Sequence, residues 1–189
     1  IYNGVPEVEQ EKYDSLVNGK VNILFAGRFE EQKGISHLVY IIKALRDMPQ
    51  YHFHVVGSGK LKQTVMDELG TLDNVSVVEP IFGISRFLAS FSYMLMPSEF
   101  EGLPLMAVEA SMAGLPVICS DCPGLCETVP SDWLLTAHDN SHDEYMNIFR
   151  NILPNTDRGR LRDIARNFVK ERFSIENMRK GYEQFYDEN

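Results

Sequence analysis

The chain has no excess of positive charge. Its 189 residues carry 18 Lys and Arg against 27 Asp and Glu, a formal net charge of −9. A surface of that sign repels phosphodiester backbones and anionic bilayers, so neither nucleic acid nor an acidic membrane surface is expected as a partner. A local basic site remains compatible with it. Long apolar runs are missing too, and so is the charged-then-apolar pattern of a signal peptide, which points to a cytoplasmic protein. Cysteine is scarce: Cys119, Cys122 and Cys126 are odd in number, spaced C-x2-C-x3-C, and have no fourth ligand nearby. That rules out a disulfide framework and leaves no metal site, so they read as reduced thiols in a strand-to-loop segment. There is no G-x-S-x-G, no Walker A and no H-E-x-x-H, and hence no support for serine-nucleophile, phosphate-loop or zincin chemistry.

What is present is ordinary globular composition, 44% hydrophobic and 24% charged, enough for one domain with a full-sized core. Residues 1–20 are polar, with turn signals at Asn3-Gly4 and Asn18-Gly19, and read as a leading linker segment to a domain over 21–189. Val21 to Ala26 is a near-continuous apolar run, the mark of a strand buried on both faces. Ile35, Leu38, Val39, Ile42 and Leu45 then recur at helical spacing, from about Gly34 to before Met48-Pro49.

The unit repeats. Strands are predicted at 51–56, 75–78, 93–96, 115–119 and, briefly, 133–135. Helices are predicted at 61–69, 85–90, 104–113, 142–152, 158–170 and 175–186. Alternation of this kind predicts an α/β fold, a doubly wound, Rossmann-like parallel sheet with closing helices at the C-terminus. Ligands of such sheets bind beyond the carboxyl ends of the strands. Arg28, Lys33, Ser58, Gly59, Glu101 and Ser120-Asp121 all fall at those ends.

Three features there have chemistry to offer. Arg28 and Lys33 flank the turn after the first strand. They read equally as an anion site suited to a diphosphate or as a solvated pair offset by Glu30 and Glu31. Gly57-Ser58-Gly59 suggests a dinucleotide turn, but Lys62 stands where a third glycine should, so it reads as a turn that lets a ligand approach the backbone. Glu101 and Glu109 bracket a helix start, with Pro104 suited to its first turn. They are either a capping acid and a surface acid, or a pair that binds something polyhydroxylated. His52 and His54 share a strand face and read as sheet packing; His37 reads as a solvated residue on the polar side of its helix.

Taken together, the segments resemble a known family. Asn3-Gly4-Val5, Phe25-Ala26-Gly27-Arg28 with Lys33-Gly34, Pro97-Ser98, Glu101-Gly102-Leu103-Pro104, Glu109-Ala110, Gly114-Leu115-Pro116-Val117 and Phe173-Ser174 stand in the order of the C-terminal domain of retaining GT-B glycosyltransferases, group 1 (family 4). The E-x7-E stretch is the specific part, and the resemblance covers essentially the whole chain. It implies the C-terminal half of a GT-B fold that binds a nucleotide-diphosphate sugar, UDP- or GDP-linked. It also implies retaining transfer to a glycan or lipid-linked acceptor in polysaccharide biosynthesis, with no further cofactor and no metal.

Under this resemblance Arg28 and Lys33 neutralise the leaving diphosphate, and Glu101 touches the donor sugar where the bond breaks. Glu109 binds the ribose. Gly27 belongs to the diphosphate turn, and the backbone at Gly102 and Leu103 meets the β-phosphate. Ser58, Gly59 and Ile81 border ribose and base. The chain departs from the family in lacking a glycine near Pro80, in having Ser92 where an aspartate is common, and in the extra acid of Glu99-Phe100. The resemblance further implies an N-terminal acceptor domain as partner, which fits a chain opening on Ile1, and through it peripheral attachment to a membrane. The domain alone is then expected to bind nucleotide without transferring sugar. Other readings are a nucleotide-sugar epimerase or phosphorylase of this fold, or a non-enzymatic Rossmann-like binding domain.

Overall fold

The computed structural model describes residues 2–187, apart from the Asp187 side chain. Six strands form one sheet: β1 (Val21–Arg28), β2 (Tyr51–Ser58), β3 (Val75–Val78), β4 (Tyr93–Met96), β5 (Val117–Ser120) and β6 (Thr136–Ala137). Their order is β3-β2-β1-β4-β5-β6 and every pairing is parallel. Parallel neighbours need crossovers, supplied by α1 (Ile35–Ala44), α2 (Lys62–Leu69), a 3-10 helix at Ile84–Ser90 and α3 (Leu105–Met112). The chain closes with α4 (His142–Asn147), continued by a π turn at Ile148–Ile152, then α5 (Arg158–Phe173) and α6 (Ile175–Asp187).

The apolar run of β1 is the centre of the core. Ile23, Leu24 and Phe25 are buried between β2 and β4. On α1, Ile35, Leu38 and Ile42 are buried as the sequence spacing predicts, with Leu45 buried at the C-cap; Ile41 joins them, and Val39 is half-buried. The order of the strands reverses between β1 and β4, so the loops leaving those two strands flank an open crevice.

Several expected boundaries are corrected. The sixth strand is Thr136–Ala137 and not 133–135: Trp133 is buried, and its indole N–H donates to the Val117 carbonyl at 2.7 Å, so that apolar run is a core plug ahead of the strand. β5 begins at Val117, because Gly114 is left-handed (φ 77°) and the chain is still turning through Leu115-Pro116. Gly57 and Ser58 belong to β2, in register with Gly27 and Arg28. Pro104 is the N-cap of α3 rather than part of its first turn. The leading segment packs on the domain: Val5 bridges to Ser174, and Gln10, Glu11 and Tyr13 hydrogen-bond to the 3-10 helix at Ile84–Ser90.

Candidate active site

Two loops clasp each other across the crevice. After β1 the chain makes a 3-10 turn, Glu31–Lys33, and Gly34 caps α1 in the left-handed region (φ 67°). A Cβ on Gly34 would lie 1.7 Å from the Pro97 carbonyl oxygen, so only glycine allows the two loops to touch there. Gln32 completes the clasp. Its carbonyl accepts from the Glu99 amide at 2.9 Å and its side chain donates to the Phe100 carbonyl at 3.0 Å.

Behind this clasp lies the chemistry. The Lys33 ammonium donates to both carboxylate oxygens of Glu101, at 2.7 and 2.8 Å, and the Ser98 hydroxyl donates to one of them at 2.7 Å. Glu101 is 6% exposed and the Lys33 side chain 21%. A carboxylate this buried is tolerable only when paired and hydrogen-bonded, and here three charge-assisted bonds hold it in one orientation. Lys33, Ser98 and Glu101 line a cavity of about 210 Å³ floored by Phe25, Ala26 and Met96.

The N-terminus of α3 opens onto the same cavity. Leu105 and Met106 line it, and their amides are among those a helix start leaves without intrahelical partners. The expected backbone donors were Gly102 and Leu103. Leu103 lines the cavity, and Gly102 is exposed beside it.

A third loop supports the pair from the far side. Gly124 is left-handed (φ 81°), and a Cβ there would lie 1.5 Å from the Gly102 carbonyl oxygen. Ser120 donates its hydroxyl to the Ser98 carbonyl. Burial raises the Cys122 thiol pKa, with Glu101 among the further causes. Ser120 lies at a strand end where ligand-binding residues are expected; the Gly124 contact is not signalled by the cysteine spacing, and the Cys122-Pro123-Gly124 turn is the sequence feature that marks it.

The other expected residues are more dispersed. Arg28 ends β1 at the same edge, but its side chain is 67% exposed and pairs with Glu30 at 3.2 Å. Ser58 ends β2 beside it, and Gly27 is half-buried. The close approach at Gly59 is intramolecular, since a Cβ there would lie 2.7 Å from the Phe29 carbonyl oxygen. Ile81 is half-buried against the core, next to the almost fully exposed Phe82.

Glu109 lies farther along α3, in a separate cavity of about 240 Å³ shared with Glu7, Ser85, Arg162 and Arg166. Burial raises its carboxyl pKa. Among the described residues no side chain is bonded to that carboxylate. The structure therefore brings Lys33 and Glu101 together, sets Arg28 and Ser58 on the rim, and puts Glu109 in a neighbouring pocket.

The histidines divide. His52 meets the Ser76 hydroxyl at 2.9 Å, and His54 meets Asn22 at 2.8 Å, so both are sheet residues as expected. His37 is not solvated: its side chain is 17% exposed and its Nε2 lies 2.8 Å from a Glu99 oxygen, because Glu99 folds back over α1. All three cysteines are free. Among the described residues no three His, Cys, Asp or Glu side chains converge as a metal set, and no helix is long and apolar enough to cross a membrane.

Comparison with known proteins gives consistent likenesses. The family profile "Glycosyl transferases group 1" matches residues 20–155. An uncharacterised glycosyltransferase of Methanocaldococcus jannaschii, MJ1178, is 30% identical over 198 residues, covering 100% of this chain and 53% of that protein. The O-antigen biosynthesis glycosyltransferase WbnH of Escherichia coli is 25% identical over 144 residues, covering 76% of this chain and 40% of its own length. This chain thus spans about half or less of the curated relatives it matches. Among solved structures, a variant of S. aureus TarM in complex with fondaparinux, alpha-GlcNAc-glycerol and UDP shares the fold, with a TM-score of 0.78 over 96% of this chain and 38% of that one, at 19% identity.

Proposed function

This chain belongs to the group 1 glycosyltransferases, and from that premise we propose that it is the donor-binding half of a retaining, family 4 enzyme that takes a UDP- or GDP-sugar. The observation that carries the reading is the buried Lys33–Glu101 pair in the crevice where strand order reverses. Breaking the bond between the anomeric carbon and the diphosphate leaves negative charge on the leaving group. Lys33, Arg28 and the first amides of α3 stabilise that charge with little reorganisation, since Lys33 is already held by Glu101. With cations supplied by side chains, the step needs no bound metal. The Glu101 carboxylate contacts the sugar hydroxyls and offsets positive charge developing at the anomeric carbon. Glu109, half-buried and without a side-chain partner among the described residues, takes the ribose hydroxyls.

The site for the acceptor, a glycan or lipid-linked sugar, and some of the catalytic groups belong to an N-terminal domain of the same protein. Polysaccharide biosynthesis is supported by the O-antigen relative, and nucleotide binding by the UDP of the TarM structure. Attachment to a membrane, where it occurs, runs through that other domain. This chain alone binds nucleotide and transfers nothing.

The test is calorimetric titration with UDP, GDP and ADP. One of the three binds, and Lys33→Ala weakens it by about 1.5–3 kcal/mol, the worth of a hydrogen bond to a charged group. Equal affinity of wild type and variant refutes the diphosphate assignment.

A further inference from the structure

Glu99 adds a carboxylate just ahead of the E-x7-E stretch, and the structure gives it a defined set of partners. One oxygen meets His37 Nε2 of α1 at 2.8 Å; the other accepts from the Asn140 amide, before α4, at 3.3 Å. Asn140 is held in turn. It sits in the left-handed region (φ 52°), and its carbonyl oxygen accepts from the Tyr145 hydroxyl of α4 at 2.6 Å. His37 packs edge-on against the His142 ring at 5.3 Å, and His142 stacks on Tyr40 with ring centroids 3.5 Å apart. Two other parts of the chain, α1 and the turn before α4, thus converge on one side chain of the loop that carries Glu101.

An isolated exposed ion pair is worth little, because two mobile side chains must be ordered in water. This one differs, since His37 and Asn140 are already fixed by their neighbours and only Glu99 remains to be ordered. Glu99 is two residues from Glu101, and Gln32 holds the Glu99 amide and the Phe100 carbonyl on the same short stretch. A loop pinned at 99 and 100 has little freedom left at 101.

We propose that His37, Glu99 and Asn140 form a positioning network that sets the Glu101 carboxylate for the sugar of the donor. The proposal deepens the donor-site reading and rests on it. These three residues touch no substrate. They act through the loop, and their contribution appears in the affinity for the sugar rather than for the nucleotide.

Two measurements on the same variants test it. Amide hydrogen exchange over residues 98–103 should rise by about tenfold in His37→Phe and in Glu99→Ala, the equilibrium worth of one charge-assisted hydrogen bond. The double variant should add little to either. Glu99→Gln keeps one acceptor oxygen for His37 but sets an NH2 against the Asn140 amide, so it should restore protection only in part. Unchanged exchange in His37→Phe and Glu99→Ala overturns the network, whatever binds. In titrations with UDP and GDP and with their glucose conjugates, the same two variants should lose the extra affinity that the sugar provides and keep that of the bare nucleotide. Equal loss for conjugate and nucleotide marks a general loosening of the fold and overturns the positioning role. If the wild type binds none of these ligands, it is the donor-site reading that fails, and the positioning role falls with it.

Discussion

Lys33→Met removes two of the three hydrogen bonds to Glu101 and all of its neutralising charge. What remains is a carboxylate 6% exposed, with only the Ser98 hydroxyl at 2.7 Å. Taking one partner from a buried pair typically costs about 3–5 kcal/mol. Lys33 is 21% exposed and the cavity of about 210 Å³ has room for water, so the lower end applies, about 3 kcal/mol. For a chain of this length that corresponds to a fall in Tm of roughly 6–12 °C. The penalty comes from the stranded charge, not from lost packing, so neutralising it should restore stability. Lys33→Met combined with Glu101→Gln is expected to come back within about 1 kcal/mol of wild type, because a neutral pair has no charge to desolvate. Urea unfolding of the wild type, both single variants and the double variant measures all four corners. A double variant as unstable as Lys33→Met would show that the stranded carboxylate was not the cause.

Three further outcomes follow from other parts of the molecule. Gly34→Ala should destabilise the protein by at least about 1–3 kcal/mol, since it forces a left-handed alanine against the Pro97 carbonyl; calorimetric unfolding reads this directly, and an unchanged Tm contradicts the clasp between the two loops. His54 is lowered from 6.5 to about 4, by burial first and the neighbouring His52 second. Its neutral form therefore stabilises the fold above pH 6.5, and roughly 3 kcal/mol is lost as pH falls from there through 4, at about 1.4 kcal/mol for each tenfold change in proton affinity. His54→Gln should flatten that part of the stability profile, and an equally steep profile in the variant would refute the assignment. Glu109→Gln should weaken nucleoside diphosphate binding yet spare inorganic diphosphate, and equal loss of both would contradict a ribose role.

The sheet was legible because β1 and β2 are buried on both faces and their apolar runs have no other explanation. The Glu101 loop was legible because a strand, a glycine and a helix start follow in close order. Strand ends were less so. Trp133-Leu134-Leu135 reads as a strand by composition, but the indole is aimed at a carbonyl of β5, a tertiary bond that no local pattern encodes. Gly57 reads as a turn but continues β2 in register with Gly27; it is glycine because a Cβ there would lie 1.9 Å from the Gly27 carbonyl oxygen. His37 looks solvated from its helix, which is polar on that side; what covers it is the Glu99 loop, 62 residues away in sequence, together with Asn140, His142 and Tyr145. The pairing of Lys33 with Glu101 was hidden for the same reason, spanning 68 residues. Each was recognisable alone as a candidate, and only the strand order puts them in one crevice.

The account turns on where a nucleotide sits. Backbone amide shift mapping of the isotopically labelled protein during titration with UDP or GDP answers that directly. The predicted result is perturbation at Gly27 and Arg28, Lys33 to Ile35, Gly102 to Met106 and Glu109, lost when Lys33 is replaced by alanine. Shifts confined to the opposite end of the sheet, around the cavity lined by Lys20, Arg46 and His52, would contradict it.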